Sequence, residues 1–390
     1  MIKRHLLKEL LEQLKHNPSV ALLGARQTGK TTLAKKTVTS SRNNALYLDL
    51  ESSRDFRKLE DAETFFENNK DKLVIIDEIQ IMPGLFRTLR PVIDRNRKSG
   101  RFLLLGSASP SLVKGVSETL AGRIAYIELS PFSILETVPR HAKQENLWLR
   151  GGFPRSLLAK NNSVSMHWRK SFIKSYIQLE LSQMFHVDLT PATIQNFWQM
   201  LAHYNGSIWN AHTFATSLGV TAPTVRRYLD YMEGAFLIRR LNPWYVNAKK
   251  RLVKSPKVFM RDSGILHALL NIDSLNELYG HPAVGNSWEG FVIEQIVQLL
   301  PEYIRPYYYR THDGAESDLI LVKGIKPVAS IEIKLSNAPV ISRGFFECIA
   351  DLKTKQNYVI TPNSDEYSAK NNVRVCSHLK FIKYYLPKVI

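Results

Sequence analysis

The stretch Leu23-Gly24-Ala25-Arg26-Gln27-Thr28-Gly29-Lys30-Thr31-Thr32 fits the motif Gly-x-x-x-x-Gly-Lys-[Ser/Thr]. The apolar run 20–23 before it is typical of a buried strand, and residues 32–36 after it are typical of a helix start. Between a strand and a helix, such glycines turn backbone N–H groups toward an anion. The stretch therefore predicts a phosphate-binding loop. Lys30 would reach the β- and γ-phosphates of a nucleotide, and Thr31 would supply a hydroxyl to Mg²⁺.

A second motif, Leu73-Val74-Ile75-Ile76-Asp77-Glu78, has four apolar residues followed by two carboxylates, which is typical of a Walker B element. We expect Asp77 to hold Mg²⁺ and Glu78 to orient or activate the attacking water. Phosphoryl transfer depends mainly on positioning and charge neutralisation, which these carboxylates and Lys30 can provide. The two motifs together predict an ATPase that uses ATP and Mg²⁺.

Further apolar runs at 45–49, 102–106 and 124–128 alternate with helical or loop stretches. This alternation predicts an α/β fold with a parallel sheet that is covered on both faces. Ligands of such sheets bind beyond the carboxyl ends of the strands, so the polar residues there are the candidates for the site.

Two candidates of this kind are less specific. Ser107 follows the run 102–106, where a small polar residue resembles the sensor of AAA-type ATPases, although a serine is also common where a strand enters a turn. Arg123 precedes the run 124–128 and is either an arginine finger toward a neighbouring subunit or an ordinary surface arginine. A finger would place the active site between subunits and predicts a homo-oligomer.

Composition narrows the class of partner. The 390 residues include 53 Lys and Arg against 35 Asp and Glu, a net charge of +18, which favours a polyanion and nucleic acid in particular. Cys348 and Cys376 are the two cysteines, and their spacing is not that of a disulfide framework or a zinc site. We find no apolar run long enough to cross a membrane and no signal peptide, and we therefore expect a cytoplasmic protein.

The chain resembles prokaryotic AAA-type ATPases whose C-terminal half is a domain of uncharacterised function related to PD-(D/E)xK nucleases. The likeness extends over nearly the whole chain from Asn17. It is specific in the two motifs above and is supported by residues 106–109, 120–123 and Gly151-Gly152-Phe153-Pro154. The resemblance implies an ATPase core at 1–130, a helical lid at 131–190 and a nuclease-like α/β domain at 261–390.

Residues 191–260 predict a winged helix. A helix over 193–203, a short helix that ends before Gly219, and a helix over 222–233 that is capped by Thr221 give a helix-turn-helix, with a wing strand at 236–241. The stretch 226–261 has ten basic and two acidic residues. We expect phosphate contacts from this stretch, or else a solvated basic face on a module that binds protein. The residues selected for DNA contact are Arg226, Arg227, Arg239, Arg240, Lys249, Lys250 and Arg251.

Residues 318–335 predict a β-hairpin. With its turn centred on Ile325, Asp318 faces Glu332 with Cβ atoms about 5 Å apart, and Lys334 shares their face. These residues match the Asp…Glu-x-Lys pattern of PD-(D/E)xK nucleases, except that Ser317 stands where proline precedes the aspartate. The carboxylates would hold Mg²⁺, and Lys334 would position the water or stabilise the phosphate.

The same enzymes use an upstream glutamate on a helix. Within the predicted helix 287–300, Glu289 shares a stripe with apolar residues, whereas Glu294 lies with Gln295 and Gln298 on the polar side. A carboxylate on an apolar face needs a partner or a metal, and we therefore expect Glu289 to be the third metal ligand.

The sequence as a whole predicts a cytoplasmic, Mg²⁺-dependent, oligomeric ATPase that acts on duplex or branched DNA, with cleavage and inert DNA binding both open for its C-terminal domain. The alternative is a signalling-type ATPase switch that recruits a protein partner and carries a vestigial nuclease fold.

Overall fold

The computed structural model describes residues 2–40, 45–107, 120–138, 141–180, 190–245 and 253–390. The chain divides into two compact units, the first formed by Met1–Phe132 with Asp230–Leu237 and the second by Ser133–Leu229 with Ile238–Ile390. In these described residues, no helix combines the length and apolar character that crossing a bilayer requires.

The first unit contains a five-stranded sheet that is parallel throughout, in the order β2-β3-β4-β1-β5. Its strands are β1 (Ser19–Leu23), β2 (Ala45–Asp49), β3 (Leu73–Asp77), β4 (Phe102–Gly106) and β5 (Ile124–Glu128). β4 lies between β1, which leads into the phosphate-binding loop, and β3, which ends at Asp77. The predicted parallel α/β sheet is therefore confirmed.

Helices cover both faces of this sheet because its strands are apolar on both sides. Leu103 and Leu105 of β4 pack in one core with α1 and α2, and Phe102 and Leu104 pack in the other core with α4 and α5. The helices of this unit are α1 (Leu6–His16), α2 (Lys30–Ser40), α3 (Ser53–Arg57), α4 (Ala62–Asn68) and α5 (Leu85–Arg95).

The second unit begins with short helices, followed by the segment that was predicted to form a helix-turn-helix. The helices before residue 181 are α6 (Ile134–Thr137), α7 (Gln144–Arg150), α8 (Pro154–Leu157) and α9 (Asn162–Phe172), which continues as a π-helix over Ile173–Glu180. The later elements are α10 (Pro191–His203), α11 (Ala211–Leu218), α12 (Ala222–Gly234), β6 (Ile238–Leu241) and β7 (Lys257–Met260). Of α12, the residues up to Leu229 belong to the second unit and those from Asp230 to the first. α11 ends at Gly219, whose φ of 65° is left-handed, and β6 pairs antiparallel with β7.

A close backbone approach links the stretch Gly151-Gly152 to the start of α13 (Ser263–Leu269). Asp262 caps α13 by accepting from the amide of Ile265 at 2.9 Å and also accepts from the amide of Gly152 at 2.8 Å. A Cβ on Gly264 would lie 2.1 Å from the carbonyl oxygen of Arg150. Glycine therefore stands where the two segments touch.

A mixed sheet, in the order β12-β13-β11-β10-β9-β8, forms the C-terminal part of the second unit. Its strands are β8 (Ile304–Arg310), β9 (Glu316–Lys323), β10 (Lys326–Ile333), β11 (Gln356–Thr361), β12 (Tyr367–Ser368) and β13 (Val373–Ser377). The accompanying helices are α14 (Leu275–Gly280), α15 (Val284–Val297), α16 (Arg343–Leu352), α17 (His378–Lys380) and α18 (Leu386–Val389), with a π-helical turn over Phe381–Tyr385.

The predicted hairpin is β9–β10, but its turn differs from the prediction. Lys323 pairs with Lys326, which leaves Gly324-Ile325 as a two-residue turn instead of a turn centred on Ile325. A bulge between Pro327 and Ala329 then shifts the register by one residue, so that Leu319 faces Ile331. Without the bulge, the pairing would be shifted by one residue along the whole hairpin, and the side chains of one strand would lie on the other face. With it, the pairing beyond Ala329 is the one that the sequence predicted, in which Asp318 is opposite Glu332.

Candidate functional site

Lys30 is the first residue of α2, and its side chain lies against the phosphate-binding loop. Its Nζ donates hydrogen bonds to the carbonyl oxygens of Gly24 at 2.9 Å and Ala25 at 3.1 Å. Burial lowers the pKa of Lys30 to about 8, although the charges of Glu78 and Asp77 oppose that decrease. The ammonium thus donates hydrogen bonds to neutral carbonyl oxygens of the loop. Anionic phosphate oxygens accept stronger hydrogen bonds and can replace these carbonyls.

The loop has a conformation that depends on glycine. Gly24 has a φ of 149°, and a Cβ there would lie 2.3 Å from the carbonyl oxygen of Leu129. Across the loop, the hydroxyl of Thr28 donates to the Ala25 carbonyl at 2.9 Å, and the guanidinium of Arg4 donates to the Thr28 carbonyl at 2.9 Å. The loop is therefore contacted by Arg4, which precedes α1, and by Leu129, which follows β5.

Asp77 is the point at which the two motifs meet. Its Oδ2 accepts from the hydroxyl of Thr31 at 2.7 Å and from the hydroxyl of Tyr47 at 2.6 Å, and its Oδ1 accepts from the amide of Glu78 at 3.0 Å. Burial, together with the bond to Asp77, raises the pKa of Tyr47. Sequence reasoning missed Tyr47, because it lies inside an apolar strand and only the pairing of β2 with β3 brings it to Asp77.

These residues fit Mg²⁺–ATP. Magnesium prefers hard oxygen ligands, and the carboxylate of Asp77 and the hydroxyl of Thr31 are such donors, already in contact with each other. The anionic phosphates would lie against the ammonium of Lys30 and the N-terminus of α2.

Ser107 contacts a protein carboxylate beside the loop. Its Oγ donates to Oε2 of Glu78 at 2.7 Å, and the side-chain amide of Gln80 donates to Glu78 and, at 3.1 Å, to Ser107 Oγ. Glu78 has a left-handed backbone with a φ of 55°, which turns its side chain away from the strand direction. The sensor role of Ser107 toward the γ-phosphate stays a prediction, whereas its contact with Glu78 was not foreseen.

Arg123 binds a carboxylate of its own chain, and its role as an arginine finger stays a prediction. Its Nε and Nη2 bind the two carboxylate oxygens of Asp94 at 2.7 and 2.9 Å, a bidentate pair within the same chain. The hydrogen bonds to Asp94 raise the pKa of Arg123. The predicted oligomer therefore has no support from this residue.

The C-terminal candidates line a cavity of about 430 Å³ in the second unit. The cavity contains the predicted residues Glu289, Asp318, Glu332 and Lys334, which come from α15, β9 and the end of β10. The structure thus brings together four residues that are up to 45 positions apart in the sequence.

Lys257, a residue that sequence reasoning assigned to the basic stretch, lies among these carboxylates. Its Nζ is 2.9 Å from Oε1 of Glu289, 3.6 Å from Oε1 of Glu316 and 3.9 Å from Oδ1 of Asp318. Burial lowers the pKa of Lys257, but the carboxylates outweigh burial and leave that pKa raised. Burial and the charge of Glu289 raise the pKa of Asp318, which accepts from the amide of Ile333 at 2.8 Å.

Lys334 pairs with Glu332 on the same side of the cavity. The distance from Lys334 Nζ to Glu332 Oε1 is 2.9 Å, and the amide of Ser342 donates to Glu332 Oε2 at 3.4 Å. Burial lowers the pKa of Lys334, yet the bond to Glu332 leaves it raised. The pairing keeps the lysine charged and next to the carboxylate, and the role of Lys334 toward water or phosphate stays a prediction.

The predicted metal set of Glu289, Asp318 and Glu332 does not fit Mg²⁺ in this arrangement. Across the ranges that the structure describes, no three or more His, Cys, Asp and Glu side chains are grouped closely enough to hold a metal ion. The ammonium of Lys257 instead neutralises two of the three intended ligands. The three carboxylates share a cavity, but a lysine lies where the prediction placed a metal.

The predicted DNA-binding residues have different environments. Arg226 and Arg227 are exposed on α12. Arg240 is half-buried on β6, and Lys249, Lys250 and Arg251 lie outside the described residues. Arg239 does not fit the prediction, because its guanidinium is engaged by Glu294 at 2.6 Å and 3.0 Å.

Glu294 is also different from its prediction. It is buried and binds Arg261 at 2.8 Å in addition to Arg239. Its neighbour Gln295 is buried as well and accepts from the amide of Ile134 at 2.6 Å. The side of α15 that was predicted to be polar and solvated is therefore buried at these two residues. Their polar groups form hydrogen bonds with residues from distant segments of the chain.

Comparison with known families agrees with the N-terminal site. Residues 16–138 match the family model described as an AAA domain. Residues 141–276 and 284–381 match two models described as domains of unknown function, DUF8612 and DUF4143. With the loop, Asp77 and Glu78 in place, the chain is an AAA-type P-loop ATPase, an enzyme that hydrolyses ATP.

The chain belongs to a family that includes uncharacterised proteins of Mycobacterium tuberculosis and Mycobacterium bovis. It is 39% identical to each over 372 residues, which is 95% of this chain and 82% of each relative. An uncharacterised protein of Haemophilus influenzae is 23% identical over 299 residues, 68% of this chain and 72% of that protein.

Solved structures with a related fold have low identity. A Walker-type ATPase of Pyrococcus abyssi is 16% identical with a TM-score of 0.46, over 69% of this chain and 96% of that one. AMPPCP-bound DnaA from Aquifex aeolicus is 17% identical with a TM-score of 0.32, over 59% of this chain and 88% of that one.

Proposed function

We propose that this ATPase acts on duplex or branched DNA and couples Mg²⁺-dependent ATP hydrolysis to binding or remodelling it. The observation that carries the proposal is the exposed pair Arg226 and Arg227 on α12, the second helix of the helix-turn-helix. In such modules the second helix is the one that enters the major groove.

The two faces of α12 support this assignment. Val225, Tyr228 and Leu229 are buried, and the ring of Tyr228 packs edge-on against Phe197 of α10. The arginines between them in sequence are therefore directed away from the core. The net charge of +18 adds a long-range attraction for a polyanion.

The nucleotide would be held by the N-terminal site. Lys30 and the amides of residues 24–31 would bind its phosphates, and Asp77 and Thr31 would hold the magnesium ion. When bound, Mg²⁺ neutralises charge on the phosphates. Glu78 is the residue that would accept a proton from the attacking water, and Ser107 and Gln80 orient its carboxylate.

For the C-terminal domain we propose DNA binding without cleavage, because Lys257 lies among the carboxylates that a metal-dependent nuclease requires. Supercoiled plasmid incubated with Mg²⁺ or Mn²⁺ should stay intact with the parent protein and with Asp318→Ala alike. Nicking by the parent that Asp318→Ala abolishes would show an active nuclease instead.

The position of Lys257 among the carboxylates also favours a second candidate function. This is an ATPase switch that recruits a protein partner and carries a vestigial nuclease fold. On this alternative, DNA would neither bind at low salt nor change the rate of ATP hydrolysis.

Binding to duplex and four-way-junction DNA across a salt series separates these candidates. We expect affinity to fall steeply with salt, and the double variant Arg226→Glu/Arg227→Glu to flatten the log–log slope by roughly 2, about 0.9 for each lost phosphate contact. A matched control is Arg87→Glu/Arg90→Glu, since these arginines are also exposed on one helix, α5. Equal loss in both pairs, or none in either, would contradict the proposed DNA surface.

ATP hydrolysis with and without each DNA completes the test. DNA should stimulate the parent, and the Arg226/Arg227 variant should keep its basal rate but lose the stimulation. Lys30→Ala should lose hydrolysis and still bind DNA, which distinguishes a defect in catalysis from a defect in binding.

A further inference from the structure

The ammonium of Lys257 is an internal cation within the C-terminal cavity. Lys257 opens β7, and its side chain is only 6% exposed. Its three carboxylate neighbours come from α15 (Glu289) and β9 (Glu316 and Asp318), all within 4 Å of Nζ. A divalent metal would need these same oxygen donors.

The backbone of Lys257 is held from two directions. It pairs with Leu241 in the β6–β7 ladder and forms a bridge with Ile208. The Nζ also lies 5.6 Å from the centre of the Tyr308 ring, within the range of a cation–π contact. With its backbone tied and its charge desolvated, the side chain has a strong preference for the carboxylates over any other position.

The remaining carboxylates of the cavity are also compensated by cations of the protein. Glu332 pairs with Lys334 at 2.9 Å, and Glu316 lies 3.6 Å from Arg310 as well as from Lys257. A divalent cation entering this cavity would therefore meet ligands that are already neutralised and, in addition, the repulsion of the nearby ammonium.

We propose that Lys257 takes the place of a divalent metal ion in this cavity, so that the domain works without metal and removal of this one charge creates a metal site. Among the described residues, no three His, Cys, Asp or Glu side chains are grouped closely enough for a metal while the ammonium lies between Glu289 and Asp318. Without the ammonium, Glu289 and Asp318 would move together around Mg²⁺ or Mn²⁺, with Glu316 beside them. The inference does not depend on DNA binding, because it concerns the cavity of the protein alone.

The test is a titration of the full chain with Mn²⁺ in the absence of nucleotide. The electron paramagnetic resonance signal of free Mn²⁺ measures how much of the metal is bound. All proteins carry Asp77→Asn, which removes the metal ligand of the ATPase site. Lys257→Met retains most of the length of the side chain without its charge. We expect it to bind one additional Mn²⁺ at least about tenfold more tightly than the parent, a gain that Glu289→Gln in the same chain removes.

Lys326→Met is the matched control, since Lys326 is an exposed lysine on β10, the strand that carries Glu332, but outside the cavity. It should bind no more Mn²⁺ than the parent does. A folded Lys257→Met protein without an additional Mn²⁺ would overturn the proposal. Circular dichroism establishes folding, and Lys257→Gln replaces the methionine variant if that variant does not fold.

A second measurement is independent of any change at Lys257. Glu289→Gln alone, in the chain with Lys257 intact, should leave Mn²⁺ binding unchanged, because the cavity takes no metal to begin with. If the parent binds one Mn²⁺ that Glu289→Gln removes, then Lys257 does not replace the metal and the proposal is wrong.

Discussion

The hydroxyl oxygen of Ser107 lies 2.7 Å from Oε2 of Glu78 and donates a hydrogen bond to that carboxylate. The two residues follow β4 and β3, which are adjacent in the parallel sheet, and their side chains meet at its carboxyl edge. Gln80 binds both of them. The carboxylate that we assign to activating water is therefore oriented by a neighbouring strand as well as by its own.

Replacing Ser107 with alanine removes one of these bonds. Because the orientation of Glu78 is relaxed while the phosphate-binding loop is intact, we expect kcat for ATP hydrolysis to fall about tenfold with little change in KM. Ser107→Thr, which keeps a hydroxyl, should retain most of the activity. Steady-state kinetics of ATP hydrolysis compares kcat and KM of the two variants with those of the parent. An unchanged kcat in the alanine variant would show that Ser107 does not position Glu78.

The activity should depend on the protonation of Lys30. Its pKa is lowered to about 8, so the free enzyme loses the positive charge at the loop as the pH rises through that value. We expect kcat/KM for ATP to decrease above about pH 8, whereas kcat holds to higher pH because bound phosphates stabilise the ammonium. A profile of kcat/KM that is flat up to about pH 10 would contradict a titrating Lys30.

Tyr47 should affect the magnesium requirement of the ATPase. Tyr47→Phe removes the hydrogen bond to Asp77 and leaves the ring, over which the ammonium of Lys35 lies at 4.8 Å. Partners that orient a metal ligand typically contribute roughly tenfold or more to metal affinity. The Mg²⁺ concentration for half-maximal hydrolysis should rise by about that factor, with the rate at saturating Mg²⁺ nearly unchanged. An identical Mg²⁺ titration for both proteins would rule out this role.

Gly264→Ala should destabilise the second unit strongly. The added Cβ would lie 2.1 Å from the carbonyl oxygen of Arg150, so a backbone segment must shift, and the free energy of unfolding should drop by about 2 kcal/mol or more. Gly285→Ala in α15 is the control, because a Cβ there meets no atom within 4 Å. Thermal unfolding of the two variants compares them directly, and equal melting temperatures would be inconsistent with a close approach at Gly264.

Predictions from the sequence succeeded where the information is local. The loop at 24–31 and the apolar run that ends at Asp77 each lie in one short segment, and strand runs of this kind, alternating with helices, are compatible with few sheet arrangements. The hairpin carrying Asp318 was likewise expected from its two strands, yet its alignment depends on a bulge after Pro327 that no residue pattern indicated.

The partner of each charged side chain was the part that local patterns could not supply. Arg239, Arg123 and Lys257 look alike in sequence as solvated basic residues, but they bind Glu294, Asp94 and Glu289, which lie at least 29 positions away. The sequence alone was enough for the ATPase motifs, because a phosphate-binding loop requires only neighbouring residues. The content of the C-terminal cavity was decided by tertiary packing, because burying a carboxylate demands a compensating charge and only the assembled chain determines which cation is near enough to provide it.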